Sequence, residues 1–265
     1  MPSSPETDTL LYYSYRKVSS EKIQQLMALE NFVFQITEAV EHYKEAAVTA
    51  QKLQWWEAEI NRLYSNQPTH PLSKQLMPLI DNDFLSGEIL NHFLHQNQQL
   101  LFGQQFETPD ALYQFIDETY LPLELSKATC LLLPARIDDQ HKEIITHLTR
   151  ANEVIRRIDQ LPHHIQREIF SFPIATDTKT PPTQQYAEKH LLEICQQLET
   201  LATQSYQQAY QIINPIIARE LRPFLIKNKL FMKILKKMQK KQFPVLRQSI
   251  RLSPLSMALL SLISF

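Results

Sequence analysis

Residues 151–173 read ANEVIRRIDQLPHHIQREIFSFP. Ile144, Leu148, Ala151, Ile155 and Ile158 step by four, three, four and three along one face. That spacing predicts a buried helix over about 141–161, which Pro162 should end or kink. The stretch has the frame of a helix lining an active site. It has almost none of the acids such a helix would need.

The same reading extends over the whole chain. Helical spacing predicts helices at 21–48, 50–64, 72–81, 86–101, 109–120, 121–133, 184–211, 215–226, 229–241 and 243–263. Residues 1–10 read as a flexible N-terminus, and IATDTKTPPT at 174–183 reads as a polar, mobile loop. No strand-like alternation persists. The fold class is therefore all-α, and 265 residues with 43% hydrophobic content can build one sizeable core. Only two glycines occur, Gly87 and Gly103, so a phosphate-cradling loop or a dinucleotide fingerprint is ruled out. Cys130 and Cys195 lie far apart with no CxxC, which reads as buried free thiols in a reducing compartment. The N-terminus lacks the basic and apolar regions of a signal peptide, and no run of about eighteen apolar residues spans a membrane.

Helix 21–48 carries a polar line, Glu30, Thr37, Glu38 and Glu41, beside its apolar stripes. It is either a partly solvated edge or the wall of a carboxylate-lined cavity. Glu88, His92 and His95 share a helix face at i, i+4 and i+7, and read as surface residues rather than part of a metal site. Asp138 and Asp139 read as loop and N-cap residues, and His163 and His164 as a polar turn. The near-zero net charge hides an asymmetry. From Leu221 onward there are ten Lys or Arg and no acid. In residues 227–265, Lys233, Lys236, Lys237, Lys240 and Lys241 sit largely off the apolar face of Leu230, Ile234 and Met238. Such a basic amphipathic segment either contacts an anionic membrane surface or closes the bundle with a solvated face. Aromatics are sparse among the lysines, which argues against nucleic acid.

Several stretches, in order, resemble the squalene/phytoene synthase family. LQWWEAEINRLYSNQPTHPLSKQL resembles its WW-x-x-E helix and P-x-HP turn. YYSYRKVSSEKIQQLMALENFVFQITEAVE resembles its opening block, which ends in FCRxxDDxVDE. FETPDALYQFID resembles a third segment, with Phe115 in place of a tyrosine, and the opening stretch resembles the QLTNILRDVxED block.

The resemblance implies one isoprenoid-synthase-like domain over 1–265, a helical bundle around a central cavity. It also implies two aspartate-rich helices holding Mg²⁺ on prenyl diphosphates, because departure of a diphosphate demands neutralised charge. Carried over by position, the first DxxxD falls on Thr37 and Glu41, with Glu38 beside them and the preceding arginine on Phe34. The second falls on Arg157 and Leu161, with the preceding asparagine on Glu153. Arg156 is kept, and Asp159 is the one nearby acid. These positions are expected to line the substrate cavity. Arg157 is expected to place a fixed positive charge at the metal site, where repulsion costs roughly several kcal/mol. The pattern predicts a catalytically degenerate protein with no cofactor. It resembles the respiratory complex I assembly factors built on this fold. A protein partner or an apolar lipid is expected, together with a cytoplasmic location, peripheral at the inner membrane face. The alternative is an active prenyltransferase joining two prenyl diphosphates head to head, with Mg²⁺ held by Glu38 and Glu41 and with Asp159.

Overall fold

A computed structural model describes every residue except 1–8, 43–44, 102–105, 107, 134–135, 167–183, 244–249 and 263–265. Among the described residues twelve helices follow one another: α1 Leu10–Tyr15, α2 Ser20–His42, α3 Ala46–Tyr64, α4 Pro71–Asp81, α5 Gly87–Leu100, α6 Pro109–Thr119, α7 Leu121–Leu132, α8 Asp139–Gln166, α9 Gln184–Ile212, α10 Pro215–Glu220, α11 Arg222–Lys240 and α12 Pro254–Leu262. No extended strand occurs among the described residues.

Local chemistry explains most starts. Proline stands in the first turn of α4, α6, α7, α10 and α11, where its missing N–H costs nothing. Thr9, Ser86, Thr108 and Asn214 accept from first-turn amides of α1, α5, α6 and α10. Asp138 accepts from the His141 amide at 2.9 Å, the capping role its position suggested.

Four boundaries depart from the spacing. The helix expected over 21–48 stops at His42, and a new one starts after Glu45. The pair expected at 215–226 and 229–241 is instead divided at Leu221, because Pro223 opens α11 and nothing interrupts it afterwards. Of the helix expected over 243–263, the described residues show Pro254–Leu262, with 250–253 outside it. Pro162 does not end α8, which runs on to Gln166. The loop expected at 174–183 lies outside the described residues.

The core explains the sequence blocks. Ile144, Leu148, Ala151, Ile155 and Ile158 are all buried on α8, which lies along α9 and also meets α11, α6, α7 and α2. In the WW-x-x-E block, Trp56 packs edge-on against Phe32 and His70. Glu59 is fully buried beneath it. Its carboxylate accepts from the Thr69 and His70 amides, the Thr69 hydroxyl and the Arg62 Nε. One acid thus ties α3 to the turn that opens α4. The two cysteines are buried and free.

Candidate functional site

Between α1, α2, α7, α8 and α11 lies a cavity of about 290 Å³. Its apolar wall is Leu10, Leu11, Val33, Phe34, Leu123 and Phe231. Its polar wall is Glu30, Thr37, Tyr120, Glu124, Lys127, Glu153, Arg156 and Lys227. The polar line of α2 therefore faces a cavity at Glu30 and Thr37. A second cavity of about 330 Å³ adjoins it, sharing Leu10, Arg156 and Phe231, and reaches Asp159, Ile250 and Met257.

Arg156 organises the α8 side. Its Nη1 donates to Glu41 at 2.6 Å, its Nε to Glu153 at 2.8 Å and its Nη2 to the Tyr120 hydroxyl at 2.8 Å. The guanidinium thus joins α8 to α2 and to Tyr120. Burial raises the Glu41 carboxyl, but Arg156 and the nearby His164 more than reverse this and hold it at about 2. His164 Nε2 lies 3.7 Å from Glu41. Burial pulls this imidazole below its ordinary value despite the carboxylate. The polar turn expected at His163 and His164 is corrected here: α8 continues, and His164 is buried in the core.

A second network crosses the cavity floor. Lys127 Nζ lies 2.9 Å from Glu30 and 2.8 Å from Glu124. Lys227 Nζ lies 3.3 Å from Glu30 and 3.0 Å from Glu124. The Tyr15 hydroxyl donates to Glu30 at 2.7 Å. Burial raises Glu30, and the two ammonium groups outweigh it, leaving Glu30 at about 2. The cavity wall therefore carries three carboxylates and three cations, already matched.

Phe34, Thr37, Glu153 and Arg156 line the first cavity, and Asp159 with Arg156 lines the second. Glu38, Glu41, Arg157 and Leu161 line neither. Glu41 sits behind Arg156, and Leu161 is core. Arg157 corrects an expectation. Successive residues on a helix point about 100° apart. Arg156 enters the cavity, whereas Arg157, only 1% exposed, lies 5.0 Å from the Phe115 ring centre and 5.7 Å from that of Phe106. The charge that stands among the motif carboxylates is Arg156. Phe34, at the position of the family's arginine, is 53% exposed.

These residues do not fit a Mg²⁺ cluster. Mg²⁺ needs carboxylate oxygens in near-octahedral array. Glu41 and Glu153 instead accept from one guanidinium, and among the described residues no three His, Cys, Asp or Glu side chains group to hold a metal. His95 pairs with Glu57 at 3.3 Å on the surface, away from any such group.

A squalene/phytoene synthase family profile matches residues 5–256. The chain belongs to the squalene/phytoene synthase family. No curated protein sequence matches it. Among solved structures it is similar to squalene synthase HpnC from Alicyclobacillus acidocaldarius, at 13% identity and a TM-score of 0.66 over 88% of each chain. It is also similar to a dehydrosqualene synthase solved in complex with ligand, at 14% identity and a TM-score of 0.66, over 88% of this chain and 82% of that one. These likenesses show the fold, an all-α bundle of the isoprenoid-synthase type. The basic face of α11 is turned outward, with Lys233, Lys236, Lys240 and Lys241 exposed, while Leu230, Leu235 and Met238 are buried. No helix among the described residues is long and apolar enough to cross a membrane.

Proposed function

We propose that this member of the family does not carry out metal-dependent condensation. It acts as a binding or assembly factor, peripheral at a membrane, with a protein or an apolar lipid as its partner. The observation that carries this reading is the Arg156 bridge between Glu41 and Glu153. A metal entering there must displace two charge-assisted hydrogen bonds, worth about 1.5–3 kcal/mol each. It must also share the space with a fixed positive charge. The balanced floor of Glu30, Glu124, Lys127 and Lys227 supports the same reading, since it offers a diphosphate no surplus cation. The apolar wall fits a short hydrocarbon segment, and about 290 Å³ is the lower end of small-molecule pockets.

The competing reading is an active prenyltransferase using Glu38, Glu41 and Asp159. Thermal unfolding with farnesyl diphosphate, with and without Mg²⁺, separates the two. A ligand at about a hundred times its Kd stabilises by about 2.7 kcal/mol, and so moves Tm by several degrees. The expected result is no Mg²⁺-dependent shift. A shift of about 5 °C that requires both Mg²⁺ and the diphosphate would favour the transferase.

A further inference from the structure

The face most suited to meet a membrane is not the lysine face of α11. Lysines there stand over a helix whose apolar side is already used inside the bundle. The last described helix, α12, behaves differently. Leu255, Leu259 and Leu262 recur at i, i+4 and i+7 and are 71%, 59% and 55% exposed. Single exposed leucines are ordinary, but three along one helix face form a stripe. The opposite side of α12 is anchored through Met257 and Ser261, both buried.

The C-terminal end of α12 meets a basic groove. Arg16 Nη1 donates to the Ser261 hydroxyl at 3.0 Å, and Arg222 Nη2 donates to the Ser261 carbonyl at 2.9 Å. Both arginines line a groove of about 310 Å³ together with Lys17, Lys22 and Arg219, against one acid, Glu220. Two further exposed apolar residues lie next to groove residues in the chain. Leu133 follows Leu132, and Ile216 precedes Arg219 by one helical turn on α10.

We infer that the α12 leucine stripe and the Arg16–Lys17–Arg219–Arg222 groove form a docking surface for an anionic phospholipid bilayer. The leucines enter the acyl boundary while the groove holds lipid phosphates. This rests on the peripheral-membrane part of the reading above and moves the contact from α11 to α12. Charge decides between lipid and a second copy of the chain. A two-fold interface would set the same positive groove against itself, whereas an anionic surface attracts it.

The test is flotation of the full chain with vesicles of phosphatidylcholine alone or with about 30% phosphatidylglycerol. Three variants are compared, each checked for unchanged helix content: L255S/L259S/L262S, K17E/R219E, and K236E/K240E on α11. Binding to the anionic vesicles is expected to exceed neutral binding by about tenfold or more, since each basic residue contributes about fivefold. The stripe variant should lose about tenfold and the groove variant about twenty-five-fold or more, and the α11 variant should stay within about twofold. Loss confined to the α11 variant would overturn the inference while leaving the protein at a membrane. Equal binding to both vesicle types would also overturn it. Absence of any vesicle binding would remove the membrane reading itself. A change from dimer to monomer in the leucine variant would assign the stripe to a second copy instead.

Discussion

Replacing Arg156 with methionine is expected to destabilise the protein by about 3–5 kcal/mol, read by urea unfolding. The substitution keeps an unbranched apolar stem and removes the guanidinium with its charge. Glu41, nearly buried, then loses its guanidinium partner and keeps His164 at 3.7 Å, and Glu153 and the Tyr120 hydroxyl lose their donor. Leaving a buried charge without compensation costs far more than the intact pair contributes. Adding Glu41→Gln to the same chain should recover part of the loss, because the uncompensated charge is gone. The pH dependence has a definite sign. Arg156 and His164 hold the folded Glu41 carboxyl at about 2, below its unfolded value. Its contribution is therefore complete above the usual carboxylate range and is lost as pH falls through that range toward 2. In the methionine variant burial raises Glu41, so acid relieves the variant while it weakens the native chain. The stability gap between the two should narrow as pH falls below the usual carboxylate range.

The second large effect is expected at Lys127. Lys127→Met should also cost about 3–5 kcal/mol. This ammonium is almost wholly buried and contacts Glu30 and Glu124, which Lys227 alone would then have to balance. Lys127 ties α7 to α2, and Lys227 adds α11. A lysine that only decorates the surface behaves otherwise: Lys236→Met, on the exposed face of α11, should stay within about 0.5 kcal/mol. Denaturation midpoints of the two variants, measured side by side, check the contrast. Equal small effects would mean that the floor network contributes little.

Periodicity made the helices of the core readable, because each must bury one face. The α8 stripe is the clearest case: all of its stepping residues are buried. The WW-x-x-E and HP block was readable as a unit, although only the structure gives its cause, the burial of Glu59 beneath the Thr69 and His70 amides. Spacing failed where a proline could serve two roles. Pro223 starts a helix and Pro162 is passed over, and both look like breakers in sequence. The short α1 escaped because six residues are too few to show a period.

The candidate site was legible in position and not in pairing. The motif helices and Arg156 were found from the resemblance. Arg157, expected at the metal positions, packs against Phe106 and Phe115 instead, since adjacent residues of a helix face different neighbours and sequence does not say which. The floor network was missed because Glu30 and Lys227 stand 197 residues apart. One signal was available: Lys127 is the sole cation in the largely apolar helix LPLELSKATCLL. A charge in such a setting needs a buried partner.

The central claim is that this bundle keeps the family frame without its metal-dependent chemistry. It is tested most directly by incubating the purified chain with farnesyl or geranylgeranyl diphosphate, Mg²⁺ and NADPH, and analysing the organic phase. The account predicts no condensed product above a protein-free control. A head-to-head C30 or C40 hydrocarbon would contradict it, and would mean that Arg156 gives way to metal when the diphosphate binds.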